Sequence, residues 1–428
     1  MLETELKLPC GAALPNRLAK AAMTEGLADS HNRPTKRHAT LYHRWAANGL
    51  GLQLSGNIQI DRMALERAGN IVLDGTQDAD ALNALHGMTN AARQGGGHFW
   101  AQISHAGRQC PKAINPNPPA PSAVKLALPG GNFGMPRALT EPEIHDLIAR
   151  FAHAAEVCRA HGFTGVQIHA AHGYLISQFL SPKSNIRTDA WGGSLENRAR
   201  FLLETIRAVR RAVGDDFPVG IKLNSADFQK GGFAFEDCLK VVEWLNAEKV
   251  DLLELSGGSY EQPSMMGLDG ILEPTLDSDK RESTKAREAY FTRYTAAVAK
   301  IATMPLMVTG GFRTRAGMEA ALAEGSAHVI GIGRPLCGAP DSAGPLLKGT
   351  ADALPVFEKQ LVMGRGWLGQ NSPFSLVKLI NGFGAMGWYY EQIYRLADGL
   401  PPDLKLGVFK AFRTYQATEA KAAKALVR

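Results

Sequence analysis

Residues 165–174 read Gly-Val-Gln-Ile-His-Ala-Ala-His-Gly-Tyr, and this stretch decides how the rest of the chain is interpreted. The first four residues form a short run typical of a buried strand, and His169, His172 and Tyr174 follow it. A helix is expected to begin after Ser194, whose hydroxyl is a suitable N-cap. Catalytic groups of parallel α/β folds lie at the carboxyl ends of strands, so the stretch predicts a candidate active site.

Short β-rich segments alternate with helical patterns as far as about residue 340. The predicted strands are Leu18–Met23, Gly51–Ile60, His98–Ile103, Gly165–Ile168, Val219–Leu223, Asp251–Leu255, Leu306–Thr309 and His328–Ile332. The predicted helices between them include Leu82–Gln94, Glu141–His161, Glu196–Val213, Ala234–Asn246, Ala286–Ala302 and Arg315–Glu324. Eight β/α units match the α/β class and its (β/α)8 TIM barrel more closely than an open sheet. A Rossmann sheet is the alternative, but no Gly-x-Gly-x-x-Gly sequence follows the first strand.

The composition is that of an ordinary globular protein with a basic charge balance. Of 428 residues, 45% are hydrophobic and 21% are charged, and the formal net charge is +6. The basic residues are mostly scattered, so we expect no nucleic-acid partner. The five cysteines are far apart in sequence, which disfavours iron–sulfur and structural zinc sites and is typical of reduced thiols. We therefore expect a cytoplasmic protein without a membrane span or a bound metal.

The β/α alternation stops beyond Gly344. We predict a barrel domain over residues 1–344 and a mostly helical C-terminal extension over residues 345–428. The extension is expected to pack either on the barrel or on a second copy of the chain, so that a homo-oligomer is one expectation. Its Phe374–Tyr390 segment is fairly apolar, yet Lys378, Asn381 and several glycines argue against a membrane span.

Two glycine-rich loops predict a phosphate site. Thr309-Gly310-Gly311 follows the seventh predicted strand, and Gly331-Ile-Gly333-Arg334 follows the eighth. Barrels commonly bind phosphate with the loops after these two strands. Glycines let backbone N–H groups approach phosphate oxygens, and Arg334 can add a charge-assisted hydrogen bond. We expect a phosphorylated cofactor here.

The remaining polar residues on or just after the predicted strands indicate the chemistry of the candidate active site. His169 and His172 are better suited to donate hydrogen bonds to a carbonyl or oxyanion than to bind a metal, and Tyr174 is a candidate general acid. Lys222 lies inside an apolar strand, where its charge requires an anionic partner. Gln102 and Thr24 end the third and first predicted strands, facing the same expected cavity.

Together these residues resemble a known family, that of the old yellow enzymes. The resemblance covers roughly residues 5–340 and is strongest in His169-Ala-Ala-His-Gly-Tyr174 and Glu196-Asn-Arg-x-Arg-Phe201. Asn16-Arg17, Gln102-x-x-His-Ala-Gly-Arg108 and Gly331-x-Gly-Arg-Pro335 are further matches. Members of this family are FMN-dependent ene reductases built on a (β/α)8 barrel.

The resemblance implies a role for each candidate residue. FMN would be bound without a covalent link, with NADPH or NADH as reductant and a small-molecule α,β-unsaturated carbonyl or nitro compound as substrate. His169 and His172 would hold the substrate oxygen, and Tyr174 would protonate the adjacent carbon. The implied cofactor-binding residues are Ala21, Ala22, Met23, Thr24 and Gly56 along the ring, Gln102 at its pyrimidine edge, Lys222 where the family usually has arginine, and Gly310, Gly311, Gly333 and Arg334 around the phosphate.

Two alternatives stay open on the sequence. A barrel lyase or aldolase would use Lys222 as a Schiff-base amine on a phosphorylated substrate. A catalytically inactive barrel would bind a ligand or a partner through residues 345–428.

Overall fold

The computed structural model of the chain describes residues 1–126, 128, 131–256, 294–369 and 372–427. Its centre is a closed barrel of parallel strands, because the last strand pairs with the first through Ile330 and Leu18. The eight strands are Leu18–Lys20, Leu52–Gln59, His98–Ser104, Gly165–Ala170, Val219–Asn224, Leu252–Ser256, Leu306–Thr309 and Val329–Ile332. The short segment Ile71–Val72 pairs in parallel with the end of the second strand. The predicted (β/α)8 barrel is confirmed.

The barrel interior is apolar at one end and polar at the other. The antiparallel segments Leu6–Lys7 and Ala13–Leu14 close the amino-terminal end. Their leucines pack on the buried barrel residues Leu52, Leu54, Trp100, Leu252, Met307 and Val329. Farther along the same strands the buried side chains become polar, as Gln102 and Glu254 show. Polar side chains are therefore concentrated toward the carboxyl ends of the strands.

Amphipathic helices surround the barrel. The longer ones are Lys36–Ala46, Ala79–Arg93, Glu141–Ala160, Leu195–Val213, Phe235–Leu245 and Arg315–Ala323, and residues 294–299 are also helical. Ser194 caps its helix as predicted, accepting a hydrogen bond from the Asn197 N–H at 3.4 Å. Phe201, Leu202 and Ile206 of the same helix are fully buried. Its apolar face thus lies against the core.

Several element boundaries differ from the predictions. The first strand ends at Lys20 rather than Met23, because Lys20 pairs with Ile332, the last residue of the eighth strand. The fourth strand continues to Ala170 because it stays paired with the fifth. Helix Lys36–Ala46 was not predicted. Most of the predicted helix Ala286–Ala302 lies outside the described residues, and 294–299 are helical.

The extension ends in two helices, Ser375–Ala397 and Val408–Ala425. They pack side by side in the same direction, because Gly384 lies next to Val408 and Tyr390 stacks on Tyr415. The intervening chain folds back along the first helix, where the Asp403 N–H donates to Gln392 at 2.7 Å, and we call the two helices with this returning segment the C-terminal hairpin. The two helices pack closely: a Cβ atom at Gly384 would lie 2.4 Å from Val408 Cγ1, and one at Gly387 would lie 2.9 Å from the Ala411 carbonyl oxygen. The predicted helical character is confirmed. Within the described ranges, no helix is both long and apolar enough to cross a membrane. The domain boundary at Gly344 and association into a homo-oligomer stay predictions.

Candidate active site

The two histidines and the tyrosine lie together at the carboxyl end of the fourth strand. The ring centre of His169 is 5.1 Å from that of His172 and 4.9 Å from that of Tyr174, with the rings edge-on. His169 belongs to the strand itself, whereas His172 follows it with a φ of +62°. Such a left-handed backbone is uncommon for a residue with a side chain. It is held by a 3.0 Å hydrogen bond from the His172 N–H to the Asn224 side-chain oxygen.

Burial favours the neutral form of both imidazoles, and His169 is suited to donate a hydrogen bond from that form. Burial lowers the pKa of His169 and of His172 well below the usual histidine value, and the nearby Lys222 charge adds to the effect. His169 Nδ1 accepts a 3.2 Å hydrogen bond from the Ala171 N–H. The proton of the neutral ring therefore resides on Nε2, which can donate to a ligand oxygen. His172 Nε2 lies 2.5 Å from Ser256 Oγ.

Tyr174 is oriented by a buried carboxylate. The Tyr174 hydroxyl donates a hydrogen bond to Glu66, and the Thr24 hydroxyl donates to the same carboxylate. Glu66 also accepts from the side-chain amides of Asn57, at 2.7 Å, and Asn70, at 3.3 Å. Donors from the ends of the first and fourth strands, from the second strand and from the loop after it thus converge on Glu66, which is only 8% exposed.

Sequence reasoning missed Glu66. Tyr174 lies 108 residues away, so no local spacing links the two. The one signal is the pair Glu66-Arg67, which interrupts the otherwise apolar or small residues of 63–69. Both side chains are buried, and a buried charged pair requires specific partners.

A chain of polar side chains crosses the barrel interior below the histidines. Gln102 Nε2 donates to Gln167 Oε1 at 2.6 Å, and Gln167 Nε2 donates to Glu254 Oε2 at 2.7 Å. Lys222 Nζ lies 2.8 Å from Glu254 Oε1. The anion that Lys222 requires is therefore a protein carboxylate, which the sequence analysis did not identify. This ion pair favours a charged role for Lys222 over the Schiff-base amine considered as an alternative.

The residues expected along the flavin ring lie at the adjoining strand ends. The Ala21 N–H donates to the Ile332 carbonyl at 2.8 Å, which places Ala21, Ala22 and Met23 beside the eighth strand. The Gly56 N–H donates to Glu25 at 2.8 Å. Burial raises the pKa of Glu25. These backbone segments and Thr24 therefore lie next to the Glu66 site.

The loops after the seventh and eighth strands have the features expected of a phosphate site. Gly310 and Gly311 adopt φ values of +111° and +80°, which favour glycine. Thr309 Oγ1 is buried without a hydrogen-bond partner in the described structure. An orphaned buried hydroxyl at this position fits an oxygen-rich ligand group. Gly333 lies beside Met23, where an added Cβ would be 3.4 Å from the Met23 sulfur.

Arg334 is placed differently from the other predicted phosphate ligands. Its side chain is half exposed, and one guanidinium nitrogen lies 3.9 Å from a Glu358 oxygen. The guanidinium carbon lies 5.8 Å from the ring centre of Tyr389 in the C-terminal hairpin. Arg334 therefore connects the barrel to the extension in this structure.

Comparison with known sequences identifies the family. Residues 10–352 match the sequence model of the NADH:flavin oxidoreductase / NADH oxidase family. The chain belongs to this family. The expected flavin oxidoreductase chemistry, with FMN and a reduced nicotinamide, is thereby confirmed.

Relatives of this flavin oxidoreductase come from fungi and bacteria. It is 37% identical to the NADH-dependent flavin oxidoreductase iliE of Hypocrea jecorina over 78% of this chain and 87% of that protein. It is 36% identical to the NADH-dependent flavin oxidoreductase nadA of Aspergillus parasiticus over 78% of this chain and 76% of that protein. Its identity to the NADH oxidase of Thermoanaerobacter brockii is 31%, over 76% of this chain and 48% of that protein.

Solved structures confirm the resemblance to old yellow enzyme homologues. The homologue from Zymomonas mobilis superposes with a TM-score of 0.67 at 25% identity, over 83% of this chain and 95% of that one. Morphinone reductase gives a TM-score of 0.65 at 26% identity, over 83% and 91%. The Thr309 hydroxyl, the Gly310-Gly311 turn and the polar barrel mouth fit an FMN cofactor held in this oxidoreductase.

Proposed function

We propose that this flavin oxidoreductase reduces the activated carbon–carbon double bond of an α,β-unsaturated carbonyl or nitro compound. The observation that carries the proposal is the cluster of a neutral, buried His169 whose Nε2 can donate, the adjacent His172, and the Tyr174 hydroxyl. We take NADH as the reductant, because the names of several relatives specify NADH.

The protein side of the reaction is hydrogen bonding and proton delivery. Bound FMN would supply the hydride chemistry that links the reduced nicotinamide to the β-carbon of the substrate. His169 and His172 donate hydrogen bonds to the substrate oxygen, which gains negative charge as the hydride arrives. The Tyr174 hydroxyl then turns from Glu66 toward the substrate, its O–H bond breaks and the proton bonds to the α-carbon. One hydride and one proton thus replace the π bond, and Tyr174 recovers a proton from solvent.

The cofactor-binding assignments are part of the same proposal. Gly310, Gly311, Gly333 and Thr309 would hold the phosphate, with Arg334 supplying positive charge at its edge. Gln102 and Lys222 would meet the polar edge of the ring, and the backbone of Ala21, Ala22, Met23, Thr24 and Gly56 would line it. The Lys222–Glu254 pair keeps a positive charge in the barrel mouth near the histidines, where it opposes their protonation.

The test is anaerobic rapid mixing of the FMN-loaded protein. NADH should bleach the flavin absorbance of the wild type, and 2-cyclohexenone should restore it. Each oxyanion donor typically contributes about 10²- to 10³-fold in rate. The double variant His169→Ala/His172→Ala should therefore keep its FMN but be reoxidised by the enone at least about a hundredfold more slowly. Equal reoxidation rates would refute the role of the histidines. A wild-type flavin that neither NADH nor NADPH reduces would instead favour the inactive barrel.

A further inference from the structure

The C-terminal hairpin lies beyond the residues that match the family, which end at 352, yet it reaches the loop that carries Glu66. One of its contacts on the barrel is Arg67, the residue next to Glu66. The Arg67 side chain is 7% exposed, and both hairpin helices contribute to its surroundings. The side chain is thus enclosed jointly by the barrel and the hairpin.

Arg67 is held by several hairpin groups at once. Its guanidinium donates to Glu419 through two nitrogens, with Nε at 3.2 Å from Oε2, and to the Tyr394 hydroxyl at 2.7 Å. The guanidinium carbon lies 3.8 Å from the ring centre of Tyr390 and 5.3 Å from that of Tyr415. Such a bidentate, ring-stacked arginine has little freedom to move.

This fixed arginine constrains the Glu66 site from the other side. The Arg67 N–H donates to Asn70 Oδ1 at 2.9 Å, and the Asn70 amide donates to the Glu66 carboxylate at 3.3 Å. The guanidinium also packs against Gly26, two residues after Thr24, where an added Cβ would lie 2.8 Å from it. A shift of Arg67 would therefore displace Glu66 and its hydrogen-bond donors.

The end of the hairpin also packs on the apolar cluster that contains Tyr174. Ala422, Ala423 and Leu426 pack against this cluster, whose buried members are Leu65, Ala68, Val72, Ala106, Cys110, Ile114 and Tyr174. The Val427 N–H donates to the Ser30 carbonyl at 2.9 Å. The hairpin thus packs against the cluster that contains Tyr174 in addition to holding Arg67.

We propose that the C-terminal hairpin is a positioning element for the proton donor: Glu419 and Tyr394 hold Arg67, Arg67 fixes the loop of Glu66, and Glu66 orients the Tyr174 hydroxyl. The inference rests on the proposed function of Tyr174. Residues 375–427, which lie outside the range 10–352 that matches the family, thereby gain a role in the reaction.

The test compares variants of the FMN-loaded protein in its two half-reactions. Glu419→Gln removes the carboxylate charge, and Tyr394→Phe removes a single hydroxyl. The second, milder variant allows the test to be made even if Glu419→Gln does not fold. Each should slow flavin reoxidation by 2-cyclohexenone about tenfold, within the range seen for coupled neighbours. The rate of flavin reduction by NADH should stay within about twofold of the wild type, because that step does not use the Tyr174 proton. The matched control is Asp398→Asn, which breaks the exposed ion pair between the hairpin and Arg37 and should change neither rate.

The decisive readout is the double-mutant cycle with Tyr174→Phe. In the Tyr174→Phe background the effect of Glu419→Gln or Tyr394→Phe on reoxidation should disappear, because the group on which it acts is gone. The positioning role alone would be overturned if Glu419→Gln or Tyr394→Phe slowed reoxidation just as much in the Tyr174→Phe variant. It would also be overturned if neither substitution slowed reoxidation when Tyr174 is present. Unchanged reoxidation in Tyr174→Phe itself would overturn the proton-donor role and this inference with it.

Discussion

The buried ion pair between Lys222 and Glu254 gives the most quantitative prediction. Lys222 Nζ and Glu254 Oε1 are 2.8 Å apart, and the two side chains are 5% and 0% exposed. Removing one partner of such a pair leaves an uncompensated buried charge, which typically destabilises a protein by about 3–5 kcal/mol. Gln167 still donates to the other Glu254 oxygen at 2.7 Å, so we expect Lys222→Met to lie near the lower limit, at about 3 kcal/mol.

The expected shift in melting temperature follows from the chain length. With an unfolding entropy of about 2.1 cal/mol/K per residue, 428 residues give about 0.9 kcal/mol/K. A loss of about 3 kcal/mol therefore lowers the Tm of the apoprotein by about 3 °C. The double variant Lys222→Met/Glu254→Gln should recover most of that loss, because both charges are then absent.

The assay is thermal unfolding of the apoprotein variants, followed by FMN titration. A double variant as destabilised as the sum of its two single variants would refute the ion-pair account. The titration distinguishes a structural lysine from one that also faces the flavin. If Lys222 contributes charge to the cofactor, the double variant should be stable yet bind FMN more weakly than the wild type. Equal FMN affinity would remove Lys222 from the proposed cofactor site.

Three further predictions concern single side chains. Tyr174→Phe should slow flavin reoxidation by 2-cyclohexenone by about 10²-fold or more while leaving reduction by NADH unchanged, as stopped-flow absorbance would show. Thr309→Val removes a buried hydroxyl that has no hydrogen-bond partner in the described structure. The apoprotein should therefore be at least as stable as the wild type, while its affinity for FMN falls. A lower apoprotein Tm with unchanged FMN affinity would contradict this prediction. Burial lowers the pKa of His38 to about 3, whereas an unfolded histidine takes up a proton near about pH 6.5. Stability should therefore fall as the pH falls, by about 1.5 kcal/mol from this residue between about pH 6.5 and pH 5. Denaturant titrations should show a shallower decrease for His38→Gln, and an unchanged pH dependence would contradict the assignment.

The sequence predicted the barrel well because its strands are fully buried and carry a local signal. Runs such as Val219–Asn224 are buried at every position and end in polar groups, so their apolar pattern is visible in a short window. Helix Lys36–Ala46 escaped prediction because it starts Lys-Arg-His and its buried residues include His38 and Trp45. Its amphipathic pattern therefore depends on burying polar and large side chains whose contacts are set by the tertiary fold.

Partnerships between distant residues could not be predicted in the same way. His169, His172 and Tyr174 are close in sequence and were identified together. Glu254 pairs with Lys222 because the register of the fifth and sixth strands places the two residues side by side. The sequence shows that Lys222 needs an anionic partner, but it does not show that this partner is Glu254. Arg67 and Glu419 are 352 residues apart. Their contact depends on how the C-terminal hairpin packs on the barrel, which no local pattern specifies.

The position of isotope label in the product tests the proposed chemistry most directly. Wild-type protein would reduce 2-cyclohexenone in D2O with unlabelled NADH, and the product would be analysed by NMR. We expect deuterium at the α-carbon, because that hydrogen comes from Tyr174 and thus from solvent, and hydrogen at the β-carbon from NADH. The pattern should reverse with NADH deuterated at the transferring position in ordinary water. Deuterium from D2O at the β-carbon, or an enone that is not reduced while NADH is consumed, would contradict the proposed function.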